Sequence, residues 1–148
     1  MKLLSASCIL LIYGVAIAAT PKQESEFLNE VRVAYSTTNV SKIIALYCWD
    51  GVPQFDRNSY PSVVERQLKF EERRVVSVDY MAAPELNHGR SITNNGAVTM
   101  FVPNLKPVRW IRIQFEPSSY SRHTLELEIG EKQGRLMIIH RIPKKNEN

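Results

Sequence analysis

Cysteine is close to missing from this chain: of 148 residues only Cys8 and Cys48 carry a thiol. If the stretch holding Cys8 is removed, no intrachain disulfide can form, and the fold must rest on its core. No paired cysteines, no His-x-His and no His-Glu-x-x-His occur, so the expectation is no metal site. His88 and His123 make no close spacing with another ligand type. Glycine is sparse at six residues, and none of them builds a Gly-x-Ser-x-Gly elbow or a phosphate-cradling loop; no cofactor is expected. Repeats, heptads and long linkers are also lacking. The formal charge is +4, with the basic residues scattered through Arg66, Lys69, Arg73, Arg74, Arg109, Arg112, Lys144 and Lys145. A nucleic-acid surface concentrates such charge on one face with aromatics between, and this pattern excludes that class.

One long apolar run is present, at the front. Lys2 precedes an apolar stretch from Ile9 to Ile17, and Ala16-Ile17-Ala18 places small residues where a signal peptidase reads them. The run is too short to span a ~30 Å hydrocarbon layer as a helix. Residues 1–19 therefore read as a secretory signal cut after Ala18 or Ala19, with a secreted or periplasmic product and no stable membrane anchor after cleavage. A single domain over residues 20–143 and a polar tail at 144–148 follow. Removing Lys2 with the leader takes the formal charge from +4 to +3. Cys48, between Tyr47 and Trp49, is expected as a buried, inert thiol.

The apolar period changes midway. Up to Arg74 it is helical, and after that it alternates. Phe27, Val31, Ala34 and Tyr35 share one side of a helix from about Lys22 to Ser36, with Glu24, Glu26 and Glu30 toward its start, where the dipole favours them. Asn39 or Ser41 can cap a short, apolar second helix running through Leu46; Asn39-Val40-Ser41 also fits the N-glycosylation pattern. Gly51 and Pro53 end that helix. A third helix is expected from Pro61, as its first residue, to about Glu72, with Val64, Leu68 and Phe70 inward.

Strands are then expected at Arg74–Met81 (Val76, Val78 and Tyr80 on one face), Ala97–Val102, Val108–Phe115, Arg122–Ile129 and Arg135–Ile142. Residues 84–96 read as irregular, with an Asn94-Asn95-Gly96 turn, and Pro117–Ser121 as a loop. Ile111, Ile113 and Phe115 face inward from the third of these strands, and Leu125, Leu127 and Ile129 from the fourth, leaving Glu126 and Glu128 outward. One-sided alternation calls for a cover on one face. The expected fold is α+β, N-terminal helices packed on a curved antiparallel sheet.

That order resembles the nuclear transport factor 2-like superfamily, a cone-like, cystatin-like α+β fold that includes ketosteroid isomerase and the polyketide cyclases. The likeness is carried by FLNEVRVAYSTTNVSKIIALYCWDGV (Phe27–Val52), a helix ending in Ala-Tyr, a polar turn, and a short helix ending in Leu-Tyr before an acidic loop. NLKPVRWIRIQF and GRLMIIHRI are similar to later strands of small secreted members. The resemblance implies a cavity whose mouth is lined by Tyr35, Tyr47, Trp49 and Asp50. Asp79 stands where the isomerases carry a base, but on the face opposite Val78, and no counterpart of their oxyanion pair is found. It also implies subunit pairing through the outer sheet face, which Trp110 and Arg112 share.

Two side chains are candidates for acid–base chemistry, which needs a carboxylate or imidazole in a dry cleft. Asp50, at a helix end beside Trp49, could be that carboxylate or could satisfy backbone N–H groups of its own turn. His140, in an apolar strand, is either a pocket residue or a satisfied core histidine. Tyr35, Tyr47 and Trp49, with Arg112 for an anion, are the candidate ligand-binding residues, and the same aromatics at these periods also suit a core. The expected function is non-catalytic binding of a small apolar or anionic ligand, or association as a homodimer. The alternative is a small lyase or isomerase, in which Asp50 removes a proton beside a carbonyl while Tyr35, Tyr47 or His140 supports the oxyanion.

Overall fold

The computed structural model describes residues 19–70, 74–82, 90–94, 97–116 and 124–144. The leader through Ala18, His88, His123, the Asn95-Gly96 turn, the 117–121 loop, the tail beyond Lys144 and the side chain of Phe70 lie outside the described residues. Helix α1 spans Pro21–Ser36. Thr20 opens it with a reciprocal capping box: its Oγ1 accepts from the Gln23 amide, and its own amide donates to Gln23 Oε1 at 2.7 Å. Both otherwise orphaned donors are thereby satisfied, and Pro21 needs none. Helix α2, Val40–Ala45, is capped by Asn39, whose Oδ1 accepts from the Lys42 amide at 3.0 Å.

Helix α3 runs from Gln54 to Phe70 with Pro61 inside it, a correction to the expected start at Pro61. Proline is tolerated at a first helical position for want of an N–H, and mid-helix it forfeits one main-chain bond. The upstream turns persist because Arg57 donates its amide to the Pro53 carbonyl at 3.0 Å and its Nε to the Val52 carbonyl at 2.9 Å. Val64 and Leu68 are buried as expected.

Among the described residues seven strands follow: β1 Val75–Met81, β2 Arg90–Asn94, β3 Ala97–Pro103, β4 Pro107–Phe115, β5 Thr124–Lys132, β6 Arg135–Ile138 and β7 Arg141–Pro143. They form a strongly curled antiparallel surface in two sheets, ordered β1-β4-β5-β6 and β2-β3-β7. The fold is α+β, helices first and then the curl. α1 lies against β1 and β6, and α2 joins α1 to α3.

Four strand expectations need correction. β1 carries a bulge between Val75 and Ser77, which reverses the side-chain parity there; Val75 packs on the core and Val76 is 60% exposed. Residues 90–94, expected irregular, are a strand because they pair with β3, Asn94 opposite Ala97. β5 continues through Gly130 and turns at Gln133 and Gly134, whose φ of 53° and 76° suit a two-residue hairpin. The final strand is two strands, β6 on β5 and β7 on β3, with Ile139 and His140 between them.

Five isoleucines (Ile43, Ile111, Ile113, Ile129 and Ile138) are fully buried, together with Val31 and Val78, and Leu125 and Leu127 pack against this cluster. Each such isoleucine contributes roughly 2–3 kcal/mol, so the group outweighs the ~2–4 kcal/mol of a typical disulfide. Cys48 is buried and free. Among the described residues no helix is long and apolar enough to cross a membrane. At Gly130 a Cβ would stand 2.7 Å from Leu105 Cβ and 3.1 Å from the Lys106 carbonyl oxygen. Gly130→Ala is expected to displace the β3–β4 turn and lower unfolding free energy by about 1–3 kcal/mol in urea titration.

Candidate functional site

The segment after α2 cannot continue the helix, and its backbone is taken up by β6: Cys48 donates its amide to the Ile138 carbonyl at 2.9 Å, and Ile138 donates to the Leu46 carbonyl at 2.8 Å. This fixes Tyr47 and Trp49 over the end of the sheet. Trp49 is anchored further by its indole N–H, which donates to the Ile44 carbonyl at 3.1 Å. From the other side come Tyr60 of α3 and His140 of the β6–β7 break. All four rings touch. The His140 centroid lies 4.4 Å from Trp49 and 4.8 Å from both Tyr47 and Tyr60. Tyr60 meets Tyr47 at 5.1 Å and Trp49 at 5.3 Å, both edge-on, the arrangement ring quadrupoles favour. Tyr35 joins beneath through the Tyr47 hydroxyl, which hydrogen-bonds with those of Tyr35 and Tyr60.

The turn between β3 and β4 secures this cluster. Asn104 donates its Nδ2 to the carbonyls of Cys48 and Asp50 at 2.8 and 2.9 Å, and its Oδ1 accepts from the His140 amide at 3.0 Å. Its own amide donates to the His140 carbonyl at 2.9 Å. One side chain thus satisfies backbone groups of two separate segments. Beside it, Arg141 pairs with Glu128, which is buried at 8% exposure rather than facing water as its place in the alternation suggests; the β6–β7 break brings the guanidinium over it.

The electrostatics follow from packing. Burial holds the His140 imidazole down at about 4, against a smaller opposite pull from Asp56, and its Nε2 is buried with no hydrogen-bond partner among the described residues. Burial likewise raises the phenols of Tyr47 and Tyr60 well above the usual range, each reinforced by a neighbouring tyrosine. At neutral pH the cluster is uncharged throughout. A neutral imidazole this weakly basic and phenols this weakly acidic make poor proton-transfer partners.

Of the candidate residues, Tyr35, Tyr47, Trp49 and His140 are brought together, and two are not. Asp50 is exposed and pairs with Lys132, whose ammonium is stabilised first by that hydrogen bond and raised in consequence. Arg112 lies on the outer sheet face, gripping Glu126 through Nε at 3.1 Å and Nη2 at 2.8 Å. Asp79 is exposed there too, opposite Arg112. Sequence reasoning missed Tyr60 and Asn104. A helix begun at Pro61 leaves Tyr60 outside it; once α3 is carried upstream, Tyr60 falls one turn before Val64 on the buried side. Asn104 stands between two prolines in a turn, and nothing local signals its distant partners.

A hollow lies away from these rings. Between α1, α2 and β6 is a groove of about 350 Å³ with Val33, Ala45 and Leu46 along it and Lys42, Glu30 and Arg135 at its edges. Among the described residues no group of three or more His, Cys, Asp or Glu side chains is placed to hold a metal ion.

Replacing Asn104 with alanine leaves two part-buried backbone groups without partners, the Cys48 carbonyl and the His140 amide, an expected loss of about 2–3 kcal/mol in urea titration. Asn104→Asp, which keeps the acceptor and loses both donors, should lose nearly as much. His140 makes stability pH-dependent. The unfolded ring takes up a proton near 6.5 and the folded one only near 4, so stability is full above pH 6.5 and falls as pH drops toward 4. Between pH 6.5 and 4.5 the native chain should lose on the order of 1 kcal/mol more than His140→Phe, the shift being discounted for solvent screening of a partly exposed ring.

Comparison of the chain with protein-family models, with curated proteins and with solved structures finds no match.

Proposed function

We propose that this protein is a secreted or periplasmic member of the nuclear transport factor 2-like superfamily that works without catalysis, as an association module pairing two copies through the outer face of β1, β4 and β5. The observation that supports the non-catalytic part of this reading is the mutual contact of the Tyr47, Trp49, Tyr60 and His140 rings. Rings in mutual contact at these separations leave no room for a substrate between them. The lyase or isomerase alternative loses support for the same reason, and because Asp50, its base, sits in solvent on Lys132.

The outer face has the composition of a modest interface. Met81 and Trp110 form one cross-strand row, which ends at Glu128 beneath Arg141, and Asp79, Arg112 and Glu126 form the next. Trp110 and Met81 are half-buried, and Val76 is exposed at the other end of β1. Tryptophan, methionine and arginine are the residues interfaces enrich. The acid–base–acid row is self-complementary under a two-fold axis, since one copy's arginine can meet the other's Asp79. A second reading, a small amphipathic anion in the α1–α2–β6 groove, is favoured by the apolar lining between Lys42 and Arg135.

Sedimentation of the purified chain at tens of micromolar should give twice the monomer mass. Val76→Lys, an exposed change that leaves the core untouched, should weaken that dimer at least tenfold without altering the far-ultraviolet circular dichroism of the folded chain. A native monomer overturns the association reading, and a monomer whose melting rises with decanoate turns the assignment to the groove.

A further inference from the structure

The first described residue makes a contact that bears on processing. The Ala19 amide donates to Glu131 Oε2 at 3.1 Å, across 112 positions of sequence. Immediately after it, Thr20 begins the α1 capping box, and Gln23 Nε2 donates to the Gly134 carbonyl at 2.9 Å. The start of α1 is therefore docked on the β5–β6 hairpin by its side chains, with one carboxylate aimed at the nitrogen of Ala19. We infer that the mature chain begins at Ala19 and that the α-ammonium freed by cleavage after Ala18 is received by the Glu131 carboxylate.

Three considerations converge on that bond. Cleavage after Ala18 puts Ala16 and Ala18 at the two positions that require small residues, whereas cleavage after Ala19 puts Ile17 at one of them. A cut after Ala19 would also place the new charge on Thr20, whose nitrogen is committed to Gln23 Oε1. Finally, an ammonium two residues ahead of a helix faces the positive end of its dipole, and a carboxylate at that point offsets the repulsion while making a charge-assisted bond. The peptide N–H of Ala19 occupies the place the ammonium would take.

Other charged groups on the packed elements have partners of their own. Glu24 meets Arg109 at 2.6 Å, Lys22 meets Glu26 at 3.8 Å, Arg135 meets Glu30 at 4.0 Å, and Lys132 holds Asp50. Glu131 is thus the carboxylate directed at the Ala19 nitrogen. An amine so paired binds its proton more tightly when folded than when unfolded. Its contribution is full below the unfolded value of about 8 and is lost as pH rises through the folded one.

The test uses the full-length precursor expressed in a secreting host. Terminal sequencing and intact mass of the exported protein should give Ala19 as the first residue. Its melting temperature at pH 6.5 should exceed that of Glu131→Gln by about 2–4 °C, and the gap should close by pH 10. Glutamine keeps an acceptor for a plain amide, so a contact that serves only the backbone leaves the two proteins alike at every pH. Selective acetylation of the terminal amine in the native chain should reproduce the loss without any substitution. A first residue other than Ala19, or a gap independent of pH, overturns the inference. A chain retained with Met1 does so too, while leaving the association reading intact.

Discussion

The break between β6 and β7 is the constraint on which the rest of the molecule depends. A strand that leaves one sheet for another must expose the amides and carbonyls of the residues in transit, and buried backbone groups need partners. Here Ile139 donates to the Glu128 carbonyl at 2.9 Å, while His140 exchanges bonds with both the backbone and the side chain of Asn104. With those groups satisfied, the sheet can curl sharply. β7 reaches β3, Arg141 comes to rest on Glu128, and the His140 ring is turned toward Tyr47, Trp49 and Tyr60. Without Asn104 the same curvature would leave polar groups unpaired at the point where three segments meet.

The packing of rings sets the character of the site. Four aromatic side chains in mutual contact keep an imidazole neutral and phenols protonated, so the end of the cone that could have held acid–base chemistry is a packed, uncharged plug. That plug continues into an isoleucine-rich interior. For a domain expected to work in an oxidising compartment with one mature thiol, this continuity replaces the covalent staple that small secreted folds often use. Polarity is displaced to the outside, where Asp50, Lys132, Arg112 and Glu126 form exposed pairs that hold little energy individually.

Much of this was legible residue by residue. The α1 stripe of Phe27, Val31, Ala34 and Tyr35 and the inward set Ile111, Ile113, Phe115 and Ile129 followed from period and are as expected, and of the two caps offered for α2, Asn39 and Ser41, the first is used. Errors arose where a local rule had a non-local answer. Pro61 marks a helix start only when nothing upstream supports earlier turns, and Arg57 supplies that support. Val76 fell on the wrong face because a bulge depends on the partner strand. Residues 90–94 looked irregular until β3 was there to pair with them. In the candidate site, Tyr47, Trp49 and His140 were legible as aromatics in apolar context, whereas the pairing of Asp50 with Lys132 depends on how the 49–53 turn sits against β5.

What the chain's order of residues determined on its own is the succession of helices and then strands and the face most of them bury, since both follow from short-range periodicity and the hydrophobic effect acting on neighbours. What only tertiary structure decided is which polar groups meet. Asn104 with His140, Glu128 with Arg141 and Ala19 with Glu131 lie 36, 13 and 112 positions apart, and no local pattern encodes such distances. Hydrogen bonds and ion pairs depend on ångström-scale placement, and that placement exists only after the curl has closed.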